Sequence, residues 1–214
     1  MNTKEKQLNS GLLEPDVGYP VMEHFETLQG EGFWTGTPSY FIRLGGCDVG
    51  CVWCDVKESW DFESHPTMST SSLISSINKS NLQHVVITGG EPTLYDLTHL
   101  THTIFENGGL CHIETAGVYP LTGSWHWICF SPKKFKKPLD TYYENANELK
   151  VVIYHPSDLE WAESHAQKMN KRSELYLQPE WSRVKTVLPN IIEYVKLHPH
   201  WKISLQSHKY MGIP

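Results

Sequence analysis

Short apolar runs alternate with longer, helix-periodic stretches along most of this 214-residue chain. Seven runs have the length of strands, and several are rich in Val, Ile or aromatic residues: Ser39–Leu44, His84–Thr88, Leu110–Glu114, Trp125–Phe130, Leu149–Tyr154, Glu174–Gln178 and Lys202–Gln206. Because a crossover between parallel strands has room for a helix, the alternation favours an α/β fold with buried parallel strands. We expect a complete or partial (β/α) barrel of about six to seven mainly parallel strands with few helices.

Four stretches between these runs have helical spacing of their apolar residues. The three clearest faces are Leu94, Leu97, Leu100 and Ile104; Leu159, Ala162, Ala166 and Met169; and Val184, Val187, Leu188, Ile191, Ile192 and Val195. Gly108-Gly109 should end the first helix, and Ser157 with Glu160 predicts a capping box for the second. Pro189 is expected to start or kink the third helix. A weaker pattern covers Ser71–Asn78.

Composition and charge exclude several classes of protein. The chain is 39% apolar and is expected to form one domain over residues 1–214, with 1–20 as a loosely ordered N-terminal extension. A nucleic-acid-binding protein needs a basic face, and the formal charge of −6 argues against one. The chain has no long apolar run and no signal-peptide pattern, so we expect a cytoplasmic protein that does not enter a membrane.

Three of the five cysteines lie within eight residues, as Cys47, Cys51 and Cys54 in a CxxxCxxC arrangement. They follow a predicted strand on a glycine-broken loop that can curl three thiolates around one small object. The spacing suits a metal or a cluster better than disulfides. Three protein ligands leave one position open for a substrate or cofactor, whereas closed structural sites use four. Cys111 and Cys129 lie in apolar, strand-like runs and are expected to be inert core thiols.

A zinc site is the alternative for the same cysteines. Its fourth ligand would be Asp48, Asp55 or a distant His, and the chain would then be a small interaction module rather than an enzyme. Protein purified without oxygen separates the alternatives, because iron with sulfide indicates a cluster and stoichiometric zinc indicates the module.

A second motif, Thr88-Gly89-Gly90-Glu91-Pro92, follows the next predicted strand. With the cysteine triad, in this order, it resembles the radical S-adenosylmethionine superfamily. The resemblance implies that Cys47, Cys51 and Cys54 hold a [4Fe–4S] cluster whose fourth iron binds S-adenosylmethionine and cleaves it to methionine and a 5′-deoxyadenosyl radical. It also implies the partial barrel of that superfamily, with the bond breaking done by the cofactor and its positioning by the protein.

The resemblance further implies which residues contact S-adenosylmethionine: Trp53, Cys54, Asp55, Gly90, Ser131, Pro132 and Lys133. Glycine at positions 89 and 90 would permit close backbone approach to the methionine end. Glu91 would offer charge near the amino group.

More motifs extend the likeness from about residue 23 to residue 214. They are Glu26–Gly32, Arg43, Trp53-Cys54-Asp55, Thr88–Pro92, Glu114–Gly117, Ser131–Lys133 and Gln206–Pro214. Together they resemble the 7-carboxy-7-deazaguanine synthase family, carbon–nitrogen lyases of queuosine biosynthesis. The resemblance implies ring contraction of 6-carboxy-5,6,7,8-tetrahydropterin to 7-carboxy-7-deazaguanine with release of ammonia. The deoxyadenosyl radical would begin it by abstracting the C6 hydrogen.

The same resemblance implies a set of substrate contacts: Leu28, Gln29, Gly30, Arg43, Thr88 and Pro214, with Glu114 and His208 as further candidates. Amide and backbone groups suit the edge of a guanine-like ring, which has fixed donors and acceptors. The rigid donor fork of Arg43 suits a carboxylate or carbonyl. Pro214 would contribute its terminal carboxylate, which can accept two hydrogen bonds.

The chain departs from the family pattern at Val56, where members commonly have a Thr or Ser whose hydroxyl binds Mg²⁺. An isopropyl group supplies no oxygen ligand, so a magnesium site is in doubt. The metal could bind through substrate oxygens and water, or the charge of Lys57 could replace it. We expect weak or absent magnesium dependence.

The closest alternative within the superfamily is an activating enzyme that places a glycyl radical on a protein partner. The run from Leu28 to Gly32 and the chain end argue against it. The resemblance implies a homodimer, a small pterin substrate and an electron donor such as flavodoxin or ferredoxin.

Overall fold

The computed structural model describes residues 16–214. Its strands are β1 (Gly18–Leu28), β2 (Pro38–Leu44), β3 (Thr67–Ser69), β4 (His84–Gly89), β5 (Leu110–Thr115), β6 (Trp127–Phe130), β7 (Glu148–Ile153), β8 (Glu174–Pro179) and β9 (Lys202–Ile203). Its α-helices are α1 (Thr70–Ser80), α2 (Thr98–Glu106), α3 (Thr141–Asn145), α4 (Asp158–Ala166), α5 (Val184–Leu197) and α6 (Ser207–Met211). Short 3-10 turns cover Lys57–Trp60, Phe62–Ser64, Pro92–Leu94 and Trp181–Arg183.

The strands form one open sheet in the order β3-β1-β2-β4-β5-β6-β7-β8-β9. From β2 to β9 all neighbours are parallel, whereas β1 runs antiparallel to both β2 and β3. The sheet has two edges, β3 and β9, so it does not close. The expected partial barrel of six to seven mainly parallel strands is thereby confirmed, although β9 is shorter than its predicted run.

Two antiparallel strands at one edge, β1 and β3, were missing from the expectation. The sequence of β1 mixes charged and apolar residues, and its burial pattern is that of a strand with one face in water. The expected N-terminal extension, 1–20, lies largely outside the described residues. Its last three residues, 18–20, belong to β1 and pair with β3, so they are part of the sheet.

Alternating side chains on the parallel strands separate an apolar outer layer from a polar interior. On β7, Leu149, Val151 and Ile153 are almost completely buried in the core on the helix side, where α4 packs. Glu148 and Lys150 point to the opposite face, because successive residues of a strand do. Both are only 2% exposed. Because this buried strand carries charged residues on one face, that face lines a polar interior rather than a second apolar core.

The helices confirm the predicted positions but correct several details. A separate 3-10 turn contains Leu94, and α2 begins only at Thr98, whose N–H the Asp96 carboxylate accepts. The capping box at Ser157 is wrong: that side chain caps nothing.

Two further details concern α4 and α5. The Asp158 carboxylate accepts the N–H groups of Tyr154 and His155, so it secures the turn into α4 in place of the predicted box. Pro189 lies inside α5, which starts five residues earlier at Val184. Cys111 and Cys129 are buried in β5 and β6, as expected for core thiols. No helix within residues 16–214 has the length and apolar character to cross a bilayer.

Candidate active site

A cavity of about 240 Å³ opens where the parallel strands end. Its wall includes nearly every residue predicted to hold the cluster, S-adenosylmethionine or the substrate: Leu28, Gln29, Gly30, Arg43, Cys47, Cys51, Trp53, Cys54, Asp55, Thr88, Gly90, Glu114, Ser131, Lys133, His208 and Pro214. Pro132 is the exception; it is buried but does not line the cavity. The carboxyl ends of parallel strands meet at one edge, so residues far apart in the sequence converge there.

The segment 45–56 carries the three cysteines and is called the cysteine loop below. Two backbone hydrogen bonds join its start to the turn that follows its end. The N–H of Gly46 donates to the Ser59 carbonyl (2.6 Å), and the N–H of Cys47 donates to the Trp60 carbonyl (3.1 Å). Gly46 has φ +97° and Gly50 has φ +74°, values that glycine adopts without strain. Gly46 before the first cysteine and Gly50 before the second therefore let the loop turn beside the cavity.

The donor set fits a [4Fe–4S] cluster. Cys47, Cys51 and Cys54 are unpaired thiols on one cavity wall, packed against the apolar side chains of Val49 and Val118. Within residues 16–214, no three Cys, His, Asp or Glu side chains converge closely enough to hold a single metal ion. A cluster spreads its thiolate ligands over separate irons, whereas zinc gathers them around one ion. The zinc module is therefore the poorer fit.

Burial makes two of these thiols, Cys47 and Cys51, hard to ionise without a metal. It raises the pKa of Cys51 to about 11 and also raises the pKa of Cys47. The ammonium of Lys133 acts in the opposite direction on Cys51. Bound iron would supply the positive charge that favours the thiolates.

Gly90 and Gly89 allow the second motif to pack directly under the cysteine loop. A Cβ on Gly90 would lie 2.2 Å from the Gly46 carbonyl oxygen and 2.8 Å from the Cβ of Cys47. A Cβ on Gly89 would lie 2.2 Å from the Leu44 carbonyl oxygen. Backbone contact between the two motifs thus requires glycine here, in addition to the expected approach of the cofactor.

Glu91 is almost fully buried, and its carboxylate is already engaged by four donors. One oxygen accepts from the N–H and hydroxyl of Thr93 and from the hydroxyl of Thr115, and the other accepts from the N–H of Ala116. The side chain joins the turn after β4 to the end of β5. Glu91 also lines the cavity, so its placement near the amino group of S-adenosylmethionine stays a prediction beside this structural role.

The residues predicted to hold S-adenosylmethionine lie beside the cysteine loop. The ammonium of Lys133 contacts both oxygens of Ser131 at 2.6 and 2.5 Å and lies 5.8 Å from the centre of the Trp53 ring. Asp55 accepts a hydrogen bond from Lys209 at 2.6 Å. This contact joins the cysteine loop to α6 at the opposite end of the chain.

The residues predicted to hold the substrate come from several elements. Arg43 on β2 and Thr88 on β4 are directly paired in the parallel sheet. The Nε of Arg43 donates to Glu23 at 2.6 Å, which orients the guanidinium. A Cβ on Gly30 would lie 2.1 Å from Nδ1 of His208, so glycine is required where the loop after β1 passes α6.

The last residue also lies in the cavity wall. The hydroxyl of Thr27 donates to the Pro214 oxygen at 3.0 Å, and the N–H of Ile213 donates to the His208 carbonyl at 3.2 Å. Gly212 has φ +67°, which ends α6 and turns the chain back to β1. The chain end is therefore tied to the strand that borders the predicted substrate residues.

Val56, which stands where family members commonly have the hydroxyl ligand for Mg²⁺, lines the cavity. Its carbonyl oxygen accepts hydrogen bonds from the N–H and the hydroxyl of Ser59. Lys57 is exposed, lies 5.9 Å over the Trp60 ring and does not line the cavity. The suggestion that Lys57 replaces the metal charge is therefore not supported by its position.

Several polar residues of the cavity were absent from the predicted site, among them Glu31, Lys150 and Gln206. Glu31 and Gln206 fell inside family motifs but received no role of their own. Lys150 carried a usable signal, because a charged residue in the middle of an apolar strand is rare without a buried partner.

Comparisons with known proteins agree with this geometry. A family model described as a 4Fe-4S single cluster domain matches residues 28–116. The 7-carboxy-7-deazaguanine synthase of Flavobacterium psychrophilum is 49% identical over all of both chains. The enzyme of that name from Synechocystis sp. is 46% identical, over 92% of this chain and 94% of its own length.

A solved structure, that of QueE from Escherichia coli, superposes with a TM-score of 0.80 at 34% identity, covering 89% of this chain and 95% of that one. Full-length identity at this level, together with the cluster domain and the shared fold, is sufficient to place the chain. It belongs to the 7-carboxy-7-deazaguanine synthase family of radical S-adenosylmethionine enzymes.

Proposed function

We propose that this chain converts 6-carboxy-5,6,7,8-tetrahydropterin to 7-carboxy-7-deazaguanine, with release of ammonia, in 7-deazapurine biosynthesis. The observation that carries the proposal is one cavity lined by three free thiols, by Arg43 and Glu114 from two strands, and by Gln29 from the loop after β1. The full-length relatives named 7-carboxy-7-deazaguanine synthase add support.

The cysteine triad would hold the cluster, leaving one iron open for S-adenosylmethionine. When bound and reduced, this cofactor pair supplies the 5′-deoxyadenosyl radical that abstracts the C6 hydrogen of the substrate. Trp53, Asp55, Gly90 and the segment 131–133 would bind S-adenosylmethionine. Lys133 supports this role, because burial lowers the pKa of its ammonium and a ligand carboxylate would favour the charged form. Pro132, off the wall, would act only by shaping that segment.

The opposite wall would hold the pterin. Leu28, Gln29 and Gly30 would run along the guanine-like edge, and Arg43 would bind an acidic or carbonyl oxygen through the donors that Glu23 leaves free. Thr88 lies beside Arg43 in the sheet and would contact the same part of the ring.

Glu114, His208 and the carboxylate of Pro214 would complete the substrate site. Burial lowers the pKa of His208, so near neutral pH it would be an uncharged donor or acceptor. These groups present both donors and acceptors, as recognition of a guanine-like ring requires.

The test is product formation without oxygen. Reduced, reconstituted protein is incubated with S-adenosylmethionine and 6-carboxytetrahydropterin, and mass spectrometry looks for 7-carboxy-7-deazaguanine and ammonia. Release of 5′-deoxyadenosine without this product would contradict the proposed substrate. It would favour another radical reaction, such as the activation of a glycyl-radical partner.

We predict that turnover needs no magnesium, because Val56 offers no hydroxyl ligand. Chelation of divalent cations should change kcat/KM by less than about twofold. The matched variant Val56→Thr supplies the missing oxygen and should gain stimulation by Mg²⁺. Wild-type turnover that collapses on chelation and recovers only with Mg²⁺ would overturn the prediction.

The proposal includes a cytoplasmic homodimer that receives electrons from flavodoxin or ferredoxin. The family supports the need for a reductant, since the cluster must be reduced before S-adenosylmethionine is cleaved. Sedimentation of the purified protein tests the dimer, and turnover with purified carriers in place of dithionite tests the donor.

A further inference from the structure

Lys150 is a buried cation in the cavity wall that none of the cofactor or substrate roles above uses. It lies on β7 and is 2% exposed. Its ammonium contacts the Glu31 carboxylate at 2.5 Å and the Glu114 carboxylate at 2.7 Å. Glu31 follows β1 and Glu114 is on β5, so one nitrogen joins three separate segments of the open barrel.

Each of the two carboxylates uses its other oxygen to hold an amide. Glu31 accepts a hydrogen bond from Gln206 at 2.9 Å, and Glu114 accepts one from Gln29 at 2.9 Å. The Gln29 carbonyl oxygen in turn accepts the N–H of Glu31 at 3.1 Å. With Lys150 at the centre, the four side chains form one connected network, and all five residues line the cavity.

Without the ammonium, two carboxylates this close together in a buried site would not both stay ionised, because like charges and burial each favour a proton on one of them. Burial would raise the pKa of Glu31, but the charge of Lys150 together with the hydrogen bonds from Lys150 and Gln206 outweighs it and lowers that pKa. Burial would likewise lower the pKa of Lys150, but the surrounding acids raise it well above its usual value.

The other ionisable groups facing the network do not replace this cation. Glu148 on β7 is acidic, bonds to the N–H groups of Phe33 and Trp127, and has a pKa raised by burial. On neighbouring elements, the ionisable groups include Cys129, Asp55, Lys133 and His208. Lys209 on α6 contacts Gln206 at 3.2 Å, but its ion pair is with Asp55 and not with either carboxylate of the network. Lys150 is the cation bonded to both carboxylates within residues 16–214.

We propose that Lys150 is a positioning residue for the substrate: it keeps Glu31 and Glu114 ionised and fixed, so that together they present only hydrogen-bond acceptors to the N–H groups of the pterin. The inference rests on the proposed function. An ionised carboxylate accepts but cannot donate, whereas a protonated one places a hydrogen against the substrate N–H groups. Loss of the ammonium would therefore disturb recognition in a pH-dependent way.

The test is the binding of 6-carboxypterin, the oxidised and fluorescent form of the substrate, in the presence of S-adenosylmethionine. Wild-type Kd should change little between about pH 5.5 and pH 7.0, since the ammonium of Lys150 is bonded to both carboxylates. Lys150→Met should raise Kd about 10- to 100-fold at the lower pH and less at the higher pH. In turnover the same variant should raise KM more than it lowers kcat.

Three further variants separate positioning from folding. Lys202→Met removes a lysine from an exposed ion pair with Glu174 and should leave Kd unchanged. Lys150→Arg keeps the charge and should restore pH-independent binding. The triple variant Lys150→Met, Glu31→Gln, Glu114→Gln contains no charge in the network and should bind weakly at every pH.

A Lys150→Met variant with wild-type Kd and pH profile would overturn the inference. If that variant does not fold, Lys150→Arg and the triple variant carry the test. Equal affinities in these two would contradict the inference. Failure of the wild-type protein to form 7-carboxy-7-deazaguanine would instead refute the proposed function, whatever the variants do.

Discussion

Replacing Cys51 with Ala should give a colourless protein that contains no stable cluster and releases no 5′-deoxyadenosine from S-adenosylmethionine. In the proposed site three protein thiols would hold the cluster, so the loss of one would leave a second iron without a protein ligand. Because Cys51 is buried on the cavity wall, no exposed thiol could take its place without moving the loop. Reconstitution without oxygen, iron and sulfide content, visible absorbance and nucleoside release measure the effect.

The chain provides its own matched controls in the two cysteines outside the triad. Cys111 and Cys129 are as buried as Cys51, but β5 and β6 hold them away from the cysteine loop. Cys111→Ala should keep the brown colour and the activity, and should lower the free energy of unfolding by about 1 kcal/mol through lost packing. A brown, active Cys51→Ala protein would contradict the assignment of the triad.

Sequence reasoning was most successful where one physical signal dominates. The buried parallel strands are continuous apolar runs, and a run such as that of β4 has few other solutions. The cysteine spacing likewise allows few kinds of site. The cysteine motif and the Thr88–Pro92 motif both line the cavity because the sheet is parallel there. The loops that follow parallel strands lie at the same edge of the sheet.

Sequence reasoning failed where several groups compete for one partner. Ser157 has the sequence of a helix cap, but the Asp158 carboxylate takes the local N–H groups instead. The partner of a charged residue inside a strand depends on which strands lie near each other in the sheet. A local sequence pattern does not contain that information. Lys150 and Glu114 are 36 residues apart in sequence and meet only because the sheet curves around a shared interior.

The strand β1 shows a third reason why part of the structure was not predicted from the sequence. Its polar alternation is weaker than the apolar runs of the parallel strands, because one face is exposed and the edge strand β3 is only three residues long. The loop after β1 nevertheless carries Gln29, Gly30 and Glu31, three residues of the cavity wall. The site is therefore framed partly by the strand that was hardest to predict.

Appending two residues, Gly-Ser, to Pro214 should raise the KM for the pterin about 100-fold while leaving cluster content and uncoupled 5′-deoxyadenosine release unchanged. The extension converts the Pro214 carboxylate into an amide and moves the terminal negative charge two residues away, which weakens hydrogen bonds from an amino group and a ring N–H. Free chain ends usually fray. This one is held by Thr27 on β1 and by the turn at Gly212, so its charge has a fixed position in the wall.

The matched control adds the same two residues at the N-terminus, which leaves the Pro214 carboxylate intact and should not change KM. A second control, Thr27→Val, removes the hydroxyl that holds the Pro214 oxygen but keeps the carboxylate. It should raise KM by about tenfold, less than the extension does, because the charge is retained but no longer held in place.

If the C-terminal extension and the N-terminal extension gave the same KM, the chain end would be a structural anchor of α6 rather than a ligand. If only Thr27→Val had an effect, the hydroxyl itself would be the ligand. The graded series therefore distinguishes a charged ligand from a structural anchor.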